Sequence, residues 1–425
     1  MLDIRRIREQ KDQVLEALRA RGLEPDLDAI LKLDDERRAC IGRAETLKNE
    51  RNRDSKEIGA LIKTDPALAA TKKEAVRLKG EEISALDRRA VEAEAARDAL
   101  VLALPNTPHP AVGRGTDSTH NKLVRTFGTP RTFDFTPRPQ WELGEALGIF
   151  DFKRAAKISG AGFPLLVGPG ARIARGLVQF MLDLHTREHG YTEVEPPFVV
   201  NSDSVLGTGQ LPKFPEEMYR VPEDDLWLIP TAEVPVTNIH RDEILEGPLP
   251  VKYTAYSPCF RREAGAAGKM TRGMNRVHQF DKVELVKFAD PATSYDELES
   301  LTRNAEAVLQ KLDLHYRVIE LCTGDMGFAS AKTYDIELWA PGQNAWLEVS
   351  SCSNFEDYQA RRMRIRYRDA DGKPALVHTL NGSGVALPRL IIAILENGQQ
   401  ADGSVVLPGA LRPYVGGLER IVPRA

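Results

Sequence analysis

The chain has 425 residues, of which 42% are hydrophobic and 28% are charged, and its formal net charge at pH 7 is −4. This length allows two or three domains with substantial cores. No apolar run reaches the length of about 18 residues that a membrane span needs, and the charged start of the chain does not read as a secretion signal. We therefore expect a cytoplasmic protein. The small negative charge excludes a globally basic surface, so any nucleic-acid-binding surface has to be local.

The cysteines are few and far apart in the sequence: Cys40, Cys259, Cys322 and Cys352. None of them forms a Cys-x-x-Cys pair, so the sequence predicts neither a disulfide framework nor a zinc ribbon. We expect buried or neutral thiols and no zinc.

The segment from about Leu27 to Leu104 has the pattern of a helical hairpin. It is rich in Ala, Glu, Lys, Arg and Leu, and its one proline is Pro66. Apolar residues return at heptad positions on both sides of this proline, which predicts two antiparallel helices of about 35 residues, each roughly 50 Å long. Asp65 is placed to cap the second helix, and Pro66 suits its first turn. Charged residues at the heptad seam are expected to weaken the pairing: Arg37, Arg51, Asp54 and Arg97.

Part of this hairpin carries the positive charge that the whole chain lacks. Between Arg43 and Gly80 there are ten Lys or Arg residues and six Asp or Glu residues, a net of +4. Such an excess on a two-helix arm could follow a phosphate backbone. Ordinary solvated helix positions explain the same charges equally well, and charge alone leaves both interpretations open.

A proline-rich linker from Leu104 to Pro110 ends the helical pattern. Downstream, an amphipathic helix is predicted over about Gly170–His189 and an apolar helix over about Leu387–Asn397. Strands are predicted around Thr192–Val200, Trp227–Pro230, Ala255–Arg262, His278–Phe288, Tyr316–Leu321, Tyr334–Leu338 and Trp346–Val349. Strands without regular helix alternation indicate an α+β domain on an antiparallel sheet. We expect an arm over 1–104, a linker over 105–120 and a second domain over 121–425.

The segment from Cys259 to Phe288 reads as a strand, a loop rich in glycine and arginine, and a second strand. Since strand side chains alternate, Arg261 and Glu263 are predicted to share one face, as are Phe280 and Glu284 about 13 Å apart. An arginine fork binds phosphate, and a neighbouring carboxylate can accept from an adenine amino group. An aromatic ring and a carboxylate at this separation fit the two ends of an aminoacyl-adenylate.

This segment resembles motif 2 of the class II aminoacyl-tRNA synthetases. Its residues are similar to the form that this motif takes in the seryl-tRNA synthetase family. The segment from Gly190 to Pro197 is similar to motif 1, and the segment from Asn381 to Arg389 is similar to motif 3. The resemblance extends over nearly the whole chain, including the helical arm. It implies a two-helix coiled-coil arm and a class II catalytic domain whose antiparallel sheet is flanked by helices. It further implies a homodimer that joins L-serine to tRNA-Ser, and also to tRNA-Sec, at the expense of ATP with Mg²⁺.

The resemblance also implies the site residues. Arg261 and Arg389 would act on the phosphates and are the expected catalytic residues. The ATP-binding residues would be Arg261, Arg262, Glu263, Phe280, Glu348, Val349, Ser350, Ser351 and Arg389. The serine-binding residues would be Thr231, Ala232, Glu233, Arg261, Glu284, Asn381 and Ser383.

Glu348 and Ser351 would hold Mg²⁺ through ATP. Strand alternation alone pairs Glu348 with Ser350, so this assignment requires the strand to bend. The chain departs from the family at Met270, where aspartate is common, at Pro388, where glycine is common, and at Gln140, where histidine is frequent. None of these departures removes a residue with an assigned chemical role.

Three alternatives remain at this point. A class II ligase for another small amino acid would share the three motifs, but the Thr231-Ala232-Glu233 segment and the arm argue against it. A paralogue that binds RNA without charging it would not need Arg261, Glu263, Glu348 and Arg389. A coiled-coil scaffold would explain the arm and nothing after it.

Overall fold

The computed structural model describes residues 1–264 and 272–424, so the expectation about Met270 lies outside the described residues. The chain divides into two compact units. The helical unit comprises Leu2–Arg19 and Leu23–Pro105, and the sheet unit comprises Met1, Ala20–Gly22 and the chain from Asn106 onward. Among the described helices, none combines the length and the apolar character that a membrane crossing needs.

The helical unit is built on a long antiparallel hairpin, as the heptad pattern predicts. Its helices are α1 (Ile4–Glu9), α2 (Lys11–Arg19), α3 (Leu27–Thr64) and α4 (Pro66–Leu102). The Asp65 side chain accepts a hydrogen bond from the backbone N–H of Leu68 at 3.0 Å. Pro66 occupies the first turn of α4, where its missing N–H has no consequence.

Charged residues at the seam of the hairpin pair across it. Arg97 lies 3.0 Å from Asp34, and both side chains are almost fully buried. Lys79 lies 2.7 Å from Asp54, and Arg37 lies 3.0 Å from Glu94. Three of the four seam charges singled out in the sequence, at positions 37, 54 and 97, therefore have partners on the other helix.

The sheet unit contains the remaining helices and all the described strands. Its helices are α5 (Gln140–Ala146), α6 (Phe152–Ser159), α7 (Pro169–Arg187), α8 (Ser202–Thr208), α9 (Glu233–Thr237), α10 (Ser294–Lys311), α11 (Tyr358–Met363) and α12 (Leu387–Gly398). Its strands are β1 (Lys122–Phe127), β2 (Thr192–Glu193), β3 (Val199–Asn201), β4 (Arg220–Val221), β5 (Leu226–Leu228), β6 (Val251–Phe260), β7 (Gln279–Ala289), β8 (Tyr316–Glu320), β9 (Lys332–Ala340), β10 (Ala345–Asn354), β11 (Arg366–Arg368), β12 (Pro374–Leu376), β13 (His378–Ala386), β14 (Val405–Val406) and β15 (Arg420–Ile421).

The centre of this unit is an eight-stranded sheet in the order β1-β8-β9-β10-β13-β7-β6-β2. Its neighbouring strands pair antiparallel, except that β2 and β6 run parallel. Helices α7, α10 and α12 cover the sheet through apolar residues such as Leu177, Leu301 and Ile391, which are buried in one common core. The predicted α+β fold with an antiparallel sheet flanked by helices is confirmed.

One prediction about motif 2 is wrong in its geometry. Arg261 and Glu263 were expected to share a strand face, but β6 ends at Phe260. The backbone N–H of Arg261 still donates to the carbonyl of His278 in the neighbouring segment. The backbone N–H of Arg262 instead donates to the carbonyl of Glu217 at 2.9 Å. Glu263 then takes a φ of 50°, a left-handed conformation that a strand does not contain.

Two of the sequence departures have clear places in the fold. Pro388 lies in the first turn of α12, where proline is tolerated. Gln140 begins α5, is fully buried, and donates through Nε2 to the carbonyl of Arg272 at 3.2 Å. Its backbone N–H donates to the carboxylate of Glu396 at 2.9 Å. Both residues therefore serve the packing of α5 and α12.

Candidate active site

The candidate site lies on one face of the central strands. Phe280, Lys282 and Glu284 alternate along β7 and therefore point to the same side. In the antiparallel pairing of β7 with β13, Glu284 lies opposite Ser383, and paired residues share a face. The same face thus carries the aromatic ring of Phe280, the ammonium of Lys282, the carboxylate of Glu284 and, on the neighbouring strand, the hydroxyl of Ser383.

A bend in β10 adds Glu348 and Ser351 to this face, as the family resemblance required. Glu348 pairs with Glu337 of β9, whereas Ser351 pairs with Asp335, and the register shifts between Glu348 and Ser350. Because Glu337 and Asp335 are two residues apart on β9, their partners point to the same side. Ser350 is displaced to the other side, where its hydroxyl donates to the carbonyl of Ser383 at 2.6 Å.

Two neighbouring cavities open on this face and share Arg261, Lys282, Glu348 and Ser383. The first has a volume of about 200 Å³ and the second a volume of about 310 Å³. The first is lined also by Glu263, Asn275, Phe280, Val349 and Arg389. The second is lined also by Thr231, Glu233, Glu284, Ser351 and Asn381. Most residues expected to bind ATP line the first cavity and most residues expected to bind serine line the second, whereas Ser351, expected at ATP, lines the second.

The second cavity is organised around Glu284, which is 1% exposed. Its Oε1 accepts from Nδ2 of Asn381 at 3.0 Å. Its Oε2 lies 2.5 Å from Nζ of Lys282 and accepts from the Thr231 hydroxyl at 3.3 Å. Lys282 also donates to the oxygen of Thr231 at 2.7 Å, so these side chains form one hydrogen-bonded cluster.

A second carboxylate, Glu233, lies at the start of α9 in the same cavity. Its Oε1 accepts from Nε2 of Gln359 at 2.6 Å. Burial, and after it the charge of Glu284, raises the pKa of Glu233 to about 7. A buried carboxylate whose neighbours include another carboxylate is stabilised as an anion by an incoming cation, such as an α-ammonium group.

The first cavity is lined by three arginines: Arg261, Arg276 and Arg389. The guanidinium carbon of Arg261 lies 5.1 Å from the ring centroid of Phe280, and its Nε donates to the carbonyl of Pro230 at 3.2 Å. Nη1 of Arg389 donates to the carbonyl of Glu348 at 2.6 Å. Arg261 and Arg389 are both held through the backbone, which leaves further N–H groups of each fork for an anion.

Glu263 is held in place by Arg276, whose Nη1 donates to its Oε2 at 3.0 Å. With its φ of 50°, this residue occupies a strained conformation that persists only where its surroundings enforce it. Glu263 lines the first cavity together with Arg276 and Phe280.

A bulge in β13 sets the position of Ser383. The pairing with β7 shifts between Ser383 and Val385, at Gly384. The carbonyl of Gly384 accepts from Nε2 of His185 at 3.3 Å. Burial lowers the pKa of His185 to about 3, so the ring is neutral. Since a carbonyl only accepts, Nε2 carries the proton, and Nδ1 accepts from Nδ1 of His189 at 2.9 Å.

Asp335 is an acidic group next to Glu348 and Ser351 that sequence reasoning missed. Its Oδ1 is buried and has no hydrogen-bond partner. Burial first, and then the charge of Glu348, raises the pKa of Asp335 well above its usual value. An orphaned carboxylate oxygen beside a second carboxylate and a hydroxyl forms an oxygen-rich donor set that suits Mg²⁺.

Three residues from the sequence-predicted site line neither cavity within the described residues. Arg262 is exposed, whereas Ala232 and Ser350 are buried. Both cavities are also lined by Lys282, which the sequence analysis did not assign to the site. Strand alternation could have predicted its place there, because Lys282 lies between Phe280 and Glu284 on the same face of β7. Gln359 comes from α11 and carries no sequence signal, because only the tertiary fold brings it to Glu233.

The arrangement defines a class of protein. An antiparallel sheet with adjoining cavities that are lined by arginines, an aromatic ring and carboxylates fits a class II aminoacyl-tRNA synthetase. Residues 218–398 match the family model described as the tRNA synthetase class II core domain (G, H, P, S and T). Residues 1–108 match the model of the seryl-tRNA synthetase N-terminal domain.

Individual relatives narrow the class to one family. The chain is 56% identical over 424 residues to the serine–tRNA ligase of Roseiflexus sp. (strain RS-1), covering 99% of each chain. It is similar to the crystal structure of seryl-tRNA synthetase from Pyrococcus horikoshii complexed with ATP, with a TM-score of 0.95, 40% identity and full coverage of both chains. The cytoplasmic serine–tRNA ligase of Naegleria fowleri in complex with AMP gives a TM-score of 0.88 at 30% identity, covering 100% of this chain and 99% of that one. The chain belongs to the seryl-tRNA synthetase family.

Proposed function

We propose that the protein is a serine–tRNA ligase that activates L-serine with ATP and transfers the serine to the 3′ end of tRNA-Ser. The observation that carries the proposal is the adjacency of the two cavities, with Arg261 lining both. An arginine at the junction would contact the serine carboxylate and the α-phosphate together. Activation joins these two groups.

The first step is in-line attack of the serine carboxylate on the α-phosphorus. A carboxylate oxygen–phosphorus bond forms, and the bond to the bridging oxygen breaks with release of pyrophosphate. No protein nucleophile is required, because the rate enhancement comes from positioning and from stabilisation of phosphoryl charge. Arg261 and Arg389 are the proposed catalytic residues.

The first cavity is the proposed ATP site. Phe280 and Arg389 would hold the adenine between them, and Glu263 would accept from its amino group. Val349 lies in the wall of this cavity. Arg262 and Ser350 were also expected at ATP; for these residues, which line neither cavity, we propose support of the surrounding backbone.

The second cavity is the proposed serine site. Glu233 would pair with the α-ammonium group, and Glu284 would accept from the side-chain hydroxyl. Thr231, Asn381 and Ser383 complete its polar wall, and Ala232 supports the loop from behind. A site built to bond a hydroxyl rejects the analogue that lacks it by roughly 10⁴–10⁵, so alanine should be a very poor substrate.

Glu348 and Ser351 are the proposed magnesium ligands through ATP, with Asp335 beside them. Among the described residues, no group of three or more His, Cys, Asp or Glu side chains could hold a metal ion. The phosphates of ATP would therefore complete the coordination. When bound, Mg²⁺ supplies neutralisation of phosphate charge, while the chain's own residues orient the two reactants.

The acceptors and the assembly are part of the same proposal. Residues 1–104 would form the tRNA-binding arm, 105–120 the linker and 121–425 the catalytic domain of a cytoplasmic homodimer. The net positive stretch of the arm would contact the tRNA backbone. We propose tRNA-Ser as the main acceptor and tRNA-Sec as a second one.

The deciding experiment is serine-dependent exchange of pyrophosphate into ATP, with threonine, alanine, glycine and proline as controls. We expect exchange with serine alone, followed by transfer of labelled serine to a tRNA-Ser transcript. A tRNA-Sec transcript tests the second acceptor, and light scattering tests the dimer. Folded protein that supports no exchange with serine would refute the proposed activity.

A further inference from the structure

We infer that Lys282 determines amino-acid specificity by positioning Glu284 and Thr231 in the serine pocket. The inference rests on the proposed function, which assigns this cavity to serine. Lys282 is 5% exposed and lies in the wall shared by both cavities. Its ammonium is therefore a buried charge within the site itself.

The contacts of Lys282 define the role. Its Nζ lies 2.5 Å from Oε2 of Glu284 and donates to the oxygen of Thr231 at 2.7 Å. The backbone N–H of Glu233 donates to the same threonine oxygen at 3.4 Å. With its oxygen accepting from these donors, the Thr231 hydroxyl directs its proton toward Oε2 of Glu284, which it reaches at 3.3 Å.

These contacts divide the two oxygens of Glu284 between two tasks. Lys282 and Thr231 both bond to Oε2, whereas among the described residues Oε1 accepts from Nδ2 of Asn381 alone, at 3.0 Å. A carboxylate oxygen has two lone pairs. Oε1 therefore keeps one lone pair in a defined direction, and this lone pair is the acceptor for the hydroxyl of serine.

Lys282 also balances the charge of the pocket. Glu233 and Glu284 are both buried, and the charged groups facing them are Lys282 and Arg261, with the neutral thiol of Cys259 nearby. Arg261 lies at the junction with the nucleotide cavity. Without Lys282, Glu284 loses the cation beside its Oε2 and keeps the neutral donors Asn381 and Thr231, so the two buried carboxylates are left with Arg261 as their facing cation.

The test compares Lys282→Met and Lys282→Gln with Lys287→Met. Lys287 is the matched control, since it lies on the same strand, is 0% exposed and pairs with Glu297 at 2.7 Å, but lines neither cavity. Pyrophosphate exchange is measured with serine and with alanine, together with the KM for ATP.

In both Lys282 variants, we expect kcat/KM for serine to fall about 100-fold or more and the serine-to-alanine ratio to fall about tenfold or more. The KM for ATP should change by less than about threefold. Lys287→Met should lower thermal stability and leave the serine-to-alanine ratio unchanged. The KM for serine is expected to fall as the pH rises and Glu233 becomes anionic. In the Lys282 variants this fall should occur at a higher pH than in the wild type, because Glu233 loses a facing cation that favours its anionic form.

An unchanged serine-to-alanine ratio in a folded Lys282 variant would overturn the inference. Equal losses for serine and ATP would overturn it too, since they would indicate a general structural role. Lys282→Gln keeps a donor and decides the matter if Lys282→Met does not fold. Wild-type protein without any serine-dependent exchange would refute the proposed function, and the role of Lys282 with it.

Discussion

Gln359 donates through Nε2 to Oε1 of Glu233 at a distance of 2.6 Å. The amide is oriented by its other contacts, since its Oε1 accepts from the Thr379 hydroxyl at 2.7 Å. Its Nε2 also donates to the carbonyl of Thr208 at 3.2 Å. The side chain of Gln359 therefore stabilises the anionic form of Glu233 against the burial that raises its pKa to about 7.

This relationship predicts how the KM for serine depends on pH. Only the anionic carboxylate pairs with an α-ammonium group, and a carboxyl with a raised pKa becomes anionic as the pH rises. We therefore expect the KM for serine to fall between pH 6 and pH 8, with a midpoint of about 7. Exchange assays across this range measure it, and a KM that rises with pH would contradict the assignment of Glu233.

The variant Gln359→Leu should move this profile to higher pH, because the hydrogen bond that favours the anion is lost. A loss of one charge-assisted hydrogen bond of about 1.5–3 kcal/mol corresponds to a shift of about 1–2 pH units. Gln310→Leu, on the exposed side of α10, is the control and should leave the profile in place.

Arg261→Ala should reduce serine-dependent exchange by about 10³-fold, since a donor aimed at developing charge is typically worth that much. Arg220→Ala is a matched control, because Arg220 stacks on Trp227 at 5.2 Å as Arg261 stacks on Phe280 at 5.1 Å. Arg220 lines neither cavity. Comparable activity losses in both variants would show that the assay reports damaged packing instead of phosphate contact.

Much of this architecture is predictable from local pattern. Heptads and the Asp65-Pro66 pair predict the hairpin, and strand alternation groups Phe280 with Glu284. Alternation alone groups Glu348 with Ser350; the family resemblance, which pairs Glu348 with Ser351, requires β10 to bend, and the pairing shows a register shift after Glu348. These features depend on residues close in sequence, where elementary geometry leaves few choices.

The rest depends on tertiary contacts that no local pattern encodes. Gln359 reaches Glu233 across 126 positions of sequence. Glu263 leaves the strand geometry because the backbone N–H of Arg262 finds the carbonyl of Glu217. That Oδ1 of Asp335 is buried without a hydrogen-bond partner could not be predicted, because its burial depends on residues from other strands.

The adjacent serines of β10 should respond differently to removal of their hydroxyls. Ser351→Ala should raise the Mg²⁺ concentration required for half-maximal exchange about tenfold, because Ser351 faces the cavity beside Asp335. Ser350→Ala should lower the free energy of unfolding by about 1 kcal/mol, because its bond to the carbonyl of Ser383 is lost. Magnesium titrations and denaturant curves separate the two effects, and an unchanged Mg²⁺ requirement in Ser351→Ala would contradict the proposed ligand.

Gly384→Ala should destabilise the sheet unit by about 1–3 kcal/mol. A Cβ at this position would lie 2.7 Å from Nε2 of His185, the atom that bonds to the carbonyl of Gly384. The variant His185→Ala removes this clash, so the double variant should be less destabilised than the sum of the single ones. Denaturant unfolding of the four proteins measures this coupling, and simple additivity would contradict the contact.

The arm offers a prediction that separates its stability from activation chemistry. Asp34 is 1% exposed and lies 3.0 Å from Arg97, so Asp34→Ala leaves a buried guanidinium without that partner. Because Arg97 keeps Asp98 at 2.7 Å and Glu94 at 3.3 Å, we expect a loss of about 1–3 kcal/mol in the stability of the hairpin. Glu36→Ala is the control, since it removes the more exposed pair with Arg89 and should cost less than about 1 kcal/mol.

Helical circular dichroism in denaturant measures these losses. Pyrophosphate exchange should persist in Asp34→Ala, because the residues of both cavities belong to the sheet unit. Transfer of serine to tRNA should fall with the melting of the arm, since the arm is the proposed tRNA contact. Undiminished transfer at a temperature where the hairpin is unfolded would contradict that role for residues 1–104.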